Sequence, residues 1–293
     1  MMRKHLLLWV LAAEKCWRAE NLPHDQEFEE TDNGERKWLG KGMSDREYAE
    51  FIDSMEGPIG RCLIADIYFS GNGFPKDYAK VAEILLGNNI RFCTGNFVHL
   101  GAMFKHGLGV AKATAKADYW FRAYFASSPE RPQLMQDSEG LIKNVQSKAG
   151  VSLKPEMVAA HKWLKKMLEE PPEKLYERGM AYLKTGEAVA GVPLADAMLR
   201  QAAKAGHLDA ALIHARLYLD CKIGAYSRSP RSYLTRFAEA GSAEAATFLG
   251  LYYAKNTSIN IFTHKRAKRW LTKALAGELP DGLRAEAKAV WRK

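Results

Sequence analysis

Residues 100–123 read LGAMFKHGLGVAKATAKADYWFRA, and 36 positions earlier residues 64–87 read IADIYFSGNGFPKDYAKVAEILLG. Ala65, Tyr68, Gly71, Gly73 and Lys80 recur as Gly101, Phe104, Gly107, Gly109 and Lys116. A fixed period of this size marks a repeat architecture. Within each copy, a small residue and an aromatic three positions later share one helix face. The small residue lets a second helix approach, and the ring fills the space beside it. The glycine pairs allow positive φ, which stops the first helix and turns the chain. A second helix follows with its own large and small residues, Trp120 and Ala123 in the quoted copy. Each copy is therefore a helical hairpin.

The same rhythm runs to the far end of the chain. Gly179 and Tyr182 are followed by Ala215 and Tyr218, then by Gly250 and Tyr253. A second track joins Ala203, Ala238 and Ala274, and with them Gly206, Gly241 and Gly277. A third joins Ile84, Trp120, Trp163, Leu199, Leu234 and Trp270, at spacings of 36, 43, 36, 35 and 36 residues. One hairpin cannot bury its apolar faces alone, so neighbours must stack. The expected fold is all-α: a right-handed α-solenoid of roughly five or six stacked helical hairpins, with no sheet in its core.

These marks resemble the Sel-one-like repeat, a relative of the tetratricopeptide repeat. The clearest copy is Leu100-Gly101, Phe104, Gly107, Gly109-Val110, Lys116-Ala117, Trp120-Phe121 and Ala123. A second is Ala65, Tyr68, Gly71, Gly73, Asp77 and Lys80. The last copy keeps Leu249-Gly250, Tyr253, Arg266-Ala267, Trp270-Leu271, Lys273-Ala274 and Gly277, but its turn is Lys255-Asn256-Thr257 without glycine. The unit around Ser138 to Met167 is weak in its first helix and carries seven extra residues. The resemblance covers 57–280 and implies a protein-binding array without catalytic function.

The regions flanking the array differ from it. Arg3, Lys4 and His5 precede an apolar run from Leu6 to Ala13, with small residues at its end. This order fits an export signal over residues 1–13, and the run is too short to span a bilayer, which takes roughly 20 apolar residues. The alternative is an amphipathic first helix on a cytoplasmic protein. Export places the protein in the periplasm or outside the cell, without stable membrane insertion, and lowers the formal charge from +9 to +7 by removing Arg3 and Lys4. Residues 14–56 form an acidic segment; between 20 and 56 there are 12 acidic and 4 basic side chains, a local charge of −8. Within it, Asp32-Asn33-Gly34 reads as a turn, and Ser44-Asp45-Arg46-Glu47 is a capping box that opens a helix through Met55. Residues 281–293 read as a C-terminal capping helix with a polar face. Cys16, Cys62, Cys93 and Cys221 form no C-x-x-C pair. A Cys62–Cys93 bridge and buried or free thiols both remain open.

The sequence carries no metalloprotease, P-loop, nucleophile-elbow or zinc pattern, so neither a cofactor, a metal nor an enzyme activity is expected. His99 and His106, like His207 and His214, lie two turns apart on one helix, with no carboxylate or cysteine nearby in sequence to complete a metal site. They read as surface or packing residues. The run His264-Lys265-Arg266-Ala267-Lys268-Arg269 before Trp270 could suit nucleic acid, but Trp270 occupies the repeat's packing position, which makes the run a solvated helix face. No nucleic-acid partner is expected.

In arrays of this kind the first helices line a concave groove. Repeat phase places Asp66, Phe69, Ala102, Lys105, His106, Met180, Leu183, Lys184, Arg216, Leu219, Leu251 and Lys255 on that face. Apolar anchors mixed with cations suit a protein surface of acidic character. The apolar members, Leu183 and Leu219 above all, could instead pack between hairpins. The resemblance implies two functions: an exported immunity protein that neutralises a secreted antibacterial toxin, such as a type VI secretion lipase, or a periplasmic adaptor for an envelope complex.

Overall fold

The computed structural model describes residues 28–30, 36–38, 45–54, 58–87, 94–127, 134–184, 191–220, 229–255 and 261–292. The expected turn at Asp32-Asn33-Gly34 and the export signal lie outside these residues. So do Cys16, Cys93 and Cys221. The helices are α1 (Asp45–Ser54), α2 (Pro58–Ser70), α3 (Tyr78–Gly87), α4 (Asn96–His106), α5 (Thr114–Ala126), α6 (Leu134–Asp137), α7 (Glu139–Ala149) and α8 (Lys154–Leu168). They continue as α9 (Pro172–Lys184), α10 (Gly191–Lys204), α11 (Leu208–Leu219), α12 (Arg231–Glu239), α13 (Ala243–Lys255), α14 (Ile261–Leu275) and α15 (Asp281–Trp291). The fold is an all-α set of stacked helical hairpins. One short antiparallel ladder, β1 (Phe28–Glu30) with β2 (Arg36–Trp38), pairs Phe28 with Trp38 in the acidic segment.

The chain divides into two compact units: Met1–Trp120 with Met135–Pro155, and Phe121–Leu134 with Glu156–Lys293. The boundary falls inside the stretch that the repeat marks join. In the first unit, the two clearest copies fold alike down to single hydrogen bonds. The Gly71 N–H donates to the Ile67 carbonyl and Asp77 to Tyr68, while 36 residues later Gly107 donates to Met103 and Ala113 to Phe104. Gly73 and Gly109 hold φ of 88° and 65°. A Cβ on Gly109 would lie 2.3 Å from the Tyr78 carbonyl carbon. Glycine there lets the turn rest on the start of α3. Ala49, Ile52, Ile64 and Ile67 form one core cluster, and Phe69, Phe97, Leu85, Leu100 and Met103 are fully buried. The Phe97 and Trp120 rings meet at 5.4 Å.

The second unit runs on small residues. Ala202, Ala203, Ala210, Ala211, Ala215, Ala238, Ala245, Ala246 and Ala274 share its core with Met198, Leu199, Leu234 and Leu249. The close approach expected of the small positions is present: a Cβ on Gly250 would stand 2.6 Å from Leu271, and one on Gly179 would stand 2.9 Å from Leu199. The second track closes three helices in the same way, with Gly206 donating to Ala203, Gly241 to Ala238 and Gly277 to Ala274. Basic side chains cover those helix ends: Arg236 donates to the Ala203 carbonyl, Lys273 to that of Ala238 and Arg284 to that of Gly277. Each cation adds a donor at a carbonyl near the negative end of a helix dipole. Helix α15 closes this unit, packing on α13 and α14.

Candidate functional site

The residues placed on the groove by repeat phase separate into three groups. Phe69 is fully buried, its ring edge-on to Tyr78 at 5.2 Å and to His99 at 4.3 Å. It is a core residue, and its assignment as an exposed anchor is corrected. The physical reason is its place on α2, where the face after the small Ala65 packs inward against α3 and α4. Ala102 is also fully buried. Asp66 is engaged inside its own unit, as described below. Lys105 is half-buried and His106 exposed, at the end of α4. Met180 and Leu183 are half-buried on α9 and Lys184 is exposed at its end. Leu183 and Leu219 pack partly against the core of the second unit, so the packing alternative holds for part of each side chain.

Arg216, Leu219, Leu251 and Lys255 do converge. Together with Asp220, Ala254, His264, Ala267, Lys268, Leu271, Glu286, Val290 and Trp291 they line a solvent-open cleft of about 560 Å³ in the second unit. Its walls come from the ends of α11 and α13, the exposed side of α14 and the capping helix α15. Leu251 is only 6% exposed and contributes to the cleft floor. The Lys255 ammonium donates to the Leu219 carbonyl.

Arg216 departs from its expected role as a cation held out for a partner. Both its terminal nitrogens meet Glu286 of α15, Nη1 to Oε1 at 3.0 Å and Nη2 to Oε2 at 2.6 Å. The guanidinium also lies 4.9 Å from the Phe248 ring and 3.8 Å from Asp220. Its hydrogen bond to Glu286 is the main reason its charged form is held more firmly than that of an ordinary arginine. Sequence reasoning missed Glu286 because a capping helix has no counterpart in the repeats from which phase was read. Trp291 was missed for the same reason. It stays 40% exposed, donates from its indole to Thr272 at 3.0 Å and lies 5.3 Å from the Lys268 ammonium. The remaining cations of the basic run spread along α14, with Arg266 over Tyr253 and Arg269 beside Trp270. Trp270 is half-buried against the core, as its repeat position requires.

Two of the histidines, His99 and His214, meet carboxylates that come from other helices. In the first unit, His99 Nε2 of α4 lies 3.2 Å from Asp66 Oδ1 of α2, and Lys148 Nζ of α7 lies 3.4 Å from Oδ2. Burial alone would raise the Asp66 pKa, but His99 and Lys148 outweigh it and hold the carboxyl at about 2. In the second unit, His214 Nε2 of α11 lies 2.8 Å from Asp196 Oδ1 of α10. Its Nδ1 meets the Tyr233 hydroxyl of α12, and Arg200 flanks Asp196 at 3.7 Å. A Tyr–His–Asp line has the groups that acid–base chemistry uses. Here His214 is wholly buried and Asp196, Arg200 and Tyr233 nearly so, which closes the line to any substrate and leaves it to tie three helices together. His207 caps α11, its Nδ1 accepting from the Ala210 N–H at 3.3 Å, and its ring stacks on Tyr176 at 4.4 Å. Among the described residues, no three His, Cys, Asp or Glu side chains are grouped to hold a metal ion.

No family model matches the sequence, and no curated protein matches it. Several solved structures are similar. A protective antigen of uropathogenic Escherichia coli strains, displaying an SLR fold, is 14% identical over 97% of this chain, at a TM-score of 0.35. This chain spans 56% of that protein's length. A Sel1 repeat protein from Oxalobacter formigenes is 23% identical, over 80% of this chain and 94% of its own, at a TM-score of 0.30. The assignment to stacked helical hairpins rests on this chain's own helices and turns.

Proposed function

We propose that this chain is an exported protein-binding repeat protein, and that it acts as an immunity protein, neutralising a secreted antibacterial toxin by binding it. The observation that carries the binding function is the open cleft of the second unit, where apolar Leu219, Leu251, Val290 and Trp291 stand beside Lys255 and Lys268. A concave site with an apolar floor and a charged rim has the anatomy of a protein-recognition surface. The polar clusters deeper in each unit are consumed in holding helices, which favours binding over catalysis. The Cys62 thiol is disulfide-bonded, and such bonds persist in oxidising compartments outside the cytoplasm. This supports export and removal of residues 1–13. Among the described residues no helix is long and apolar enough to cross a membrane.

The test is neutralisation. The toxin encoded beside this protein's gene is expressed in the periplasm of a sensitive cell, with and without this protein. Rescue of growth, together with loss of toxin turnover when the purified protein saturates it, is the expected result. A stable complex in which turnover is unchanged would assign the protein to the adaptor class. A neighbouring motility or polysaccharide operon in place of a toxin gene would point the same way.

A further inference from the structure

We infer that the cleft beneath α15 is the docking surface for a carboxylate-bearing, apolar segment of a partner protein. This deepens the protein-binding function proposed above by naming the site and the chemistry it accepts. The chain's own capping helix shows that chemistry. Glu286 lays both carboxylate oxygens on Arg216, and one turn further Val290 and Trp291 add an apolar wall. An acid and an apolar side chain spaced along one segment therefore already find complementary partners on this face.

The cleft lining carries further charged groups. Its lining holds three permanent cations, Arg216, Lys255 and Lys268, against two carboxylates, Asp220 and Glu286, with His264 beside them. Lys265, Arg266 and Arg269 are exposed on the same helix as Lys268 and extend the positive field beyond the rim. A field of one sign beside a concave wall raises the local concentration of acidic segments and speeds their arrival. Trp291 supplies the anchor. It is one of two large apolar side chains left exposed among the described residues, and its indole N–H is already satisfied by Thr272. A partner side chain that covers it desolvates ring surface without stranding a polar atom. The cleft, at about 560 Å³, lies within the range of sites that enclose a few side chains. Nucleic acid fits less well, because a phosphate chain would gain nothing from Val290 or Leu251.

The experiment uses the full exported chain and a short blocked peptide in which phenylalanine and leucine are spaced by aspartate and glutamate. A control peptide carries lysine at every acidic position. Titration calorimetry is paired with the indole N–H resonance of Trp291, assigned by its loss in Trp291→Phe. The acidic peptide is expected to bind saturably and shift that resonance, and the lysine peptide to do neither. Lys255→Glu with Lys268→Glu should weaken binding by roughly tenfold, while Lys166→Glu, exposed on α8 and outside the cleft lining, should change it by less than about twofold. Unchanged circular dichroism and melting confirm that each variant folds. The inference is overturned if Lys166→Glu weakens binding as much as the cleft pair, if the lysine peptide binds equally well, or if single-stranded DNA outcompetes the acidic peptide. It is also overturned if neither peptide binds. In that case neutralisation of a toxin by the Lys255→Glu/Lys268→Glu protein would leave the immunity function standing and move it to another surface.

Discussion

Replacing Asp66 with Asn keeps the size of the side chain and removes its charge from the contact among α2, α4 and α7. The Asp66 carboxyl sits at about 2, against 3.8 in the absence of its surroundings. That difference corresponds to roughly 2 kcal/mol at about 1.36 kcal/mol per pH unit. The side chain is 34% exposed, so solvent screening reduces the figure, and about 1–2 kcal/mol is expected near pH 7. The pH dependence follows from the sign. The folded-state value lies below the unfolded one, so the contribution is complete above about pH 4 and is lost as pH falls toward 2. In urea titrations the Asn variant should therefore unfold earlier than the parent at neutral pH, and the two midpoints should converge in strong acid. A gap of constant size from pH 7 to the acid limit would refute the electrostatic account and leave only shape or hydrogen bonding. No gap at neutral pH would mean that His99 and Lys148 do not stabilise the ionised carboxylate.

Phe69→Ala should lower stability by about 3–5 kcal/mol, measured as a shift in denaturant midpoint; a well-folded variant with lost partner binding would restore Phe69 to the recognition surface. Gly250→Val should cost about 1–3 kcal/mol by overpacking, since Leu271 already stands 2.6 Å from where the added Cβ would lie; an unchanged melting temperature would contradict the close helix contact. Glu286→Gln should loosen α15, because a bidentate charged pair becomes a weaker neutral one, and hydrogen exchange of the α15 amides should accelerate several-fold with little change elsewhere. Mass spectrometry of the protein recovered from its native cell should find a mature chain lacking the first 13 residues; a product that retains Met1 or Met2 would exclude export by this signal.

Repeat phase revealed the hairpins because the physical demand behind each mark is local. Positive φ at Gly107 and Gly109, and close approach at Gly179 and Gly250, are requirements of single positions that only small residues meet. The helix opening at Asp45 and the cap ending at Trp291 were legible for similar reasons, a capping box in one case and a polar-faced period in the other. The β1–β2 ladder was not, because three-residue strands carry too little alternation to register against a charge-rich background.

The candidate site was legible only in part. Phase identifies which residues share a helix face, but it does not say whether the next helix covers that face. Asp66 and Arg216 occupy the same repeat position, one after the small residue, yet their fates differ. Asp66 meets a histidine from the following hairpin, whereas Arg216 meets a glutamate from a helix outside the repeat. Phe69 and Leu219 are also equivalent, four after the small residue, and one is core while the other borders open space. Burial at a repeat position thus depends on what stacks next. In the second unit the helix beside this position, α15, is shorter than the neighbouring α14. The floor formed by Leu219 and Leu251 is left partly uncovered there. The surface that borders Leu219 carries Arg216, Lys255 and Lys268 together with the exposed Trp291, so phase identified Leu219, Arg216 and Lys255 among its members and the packing around α15 decided the rest.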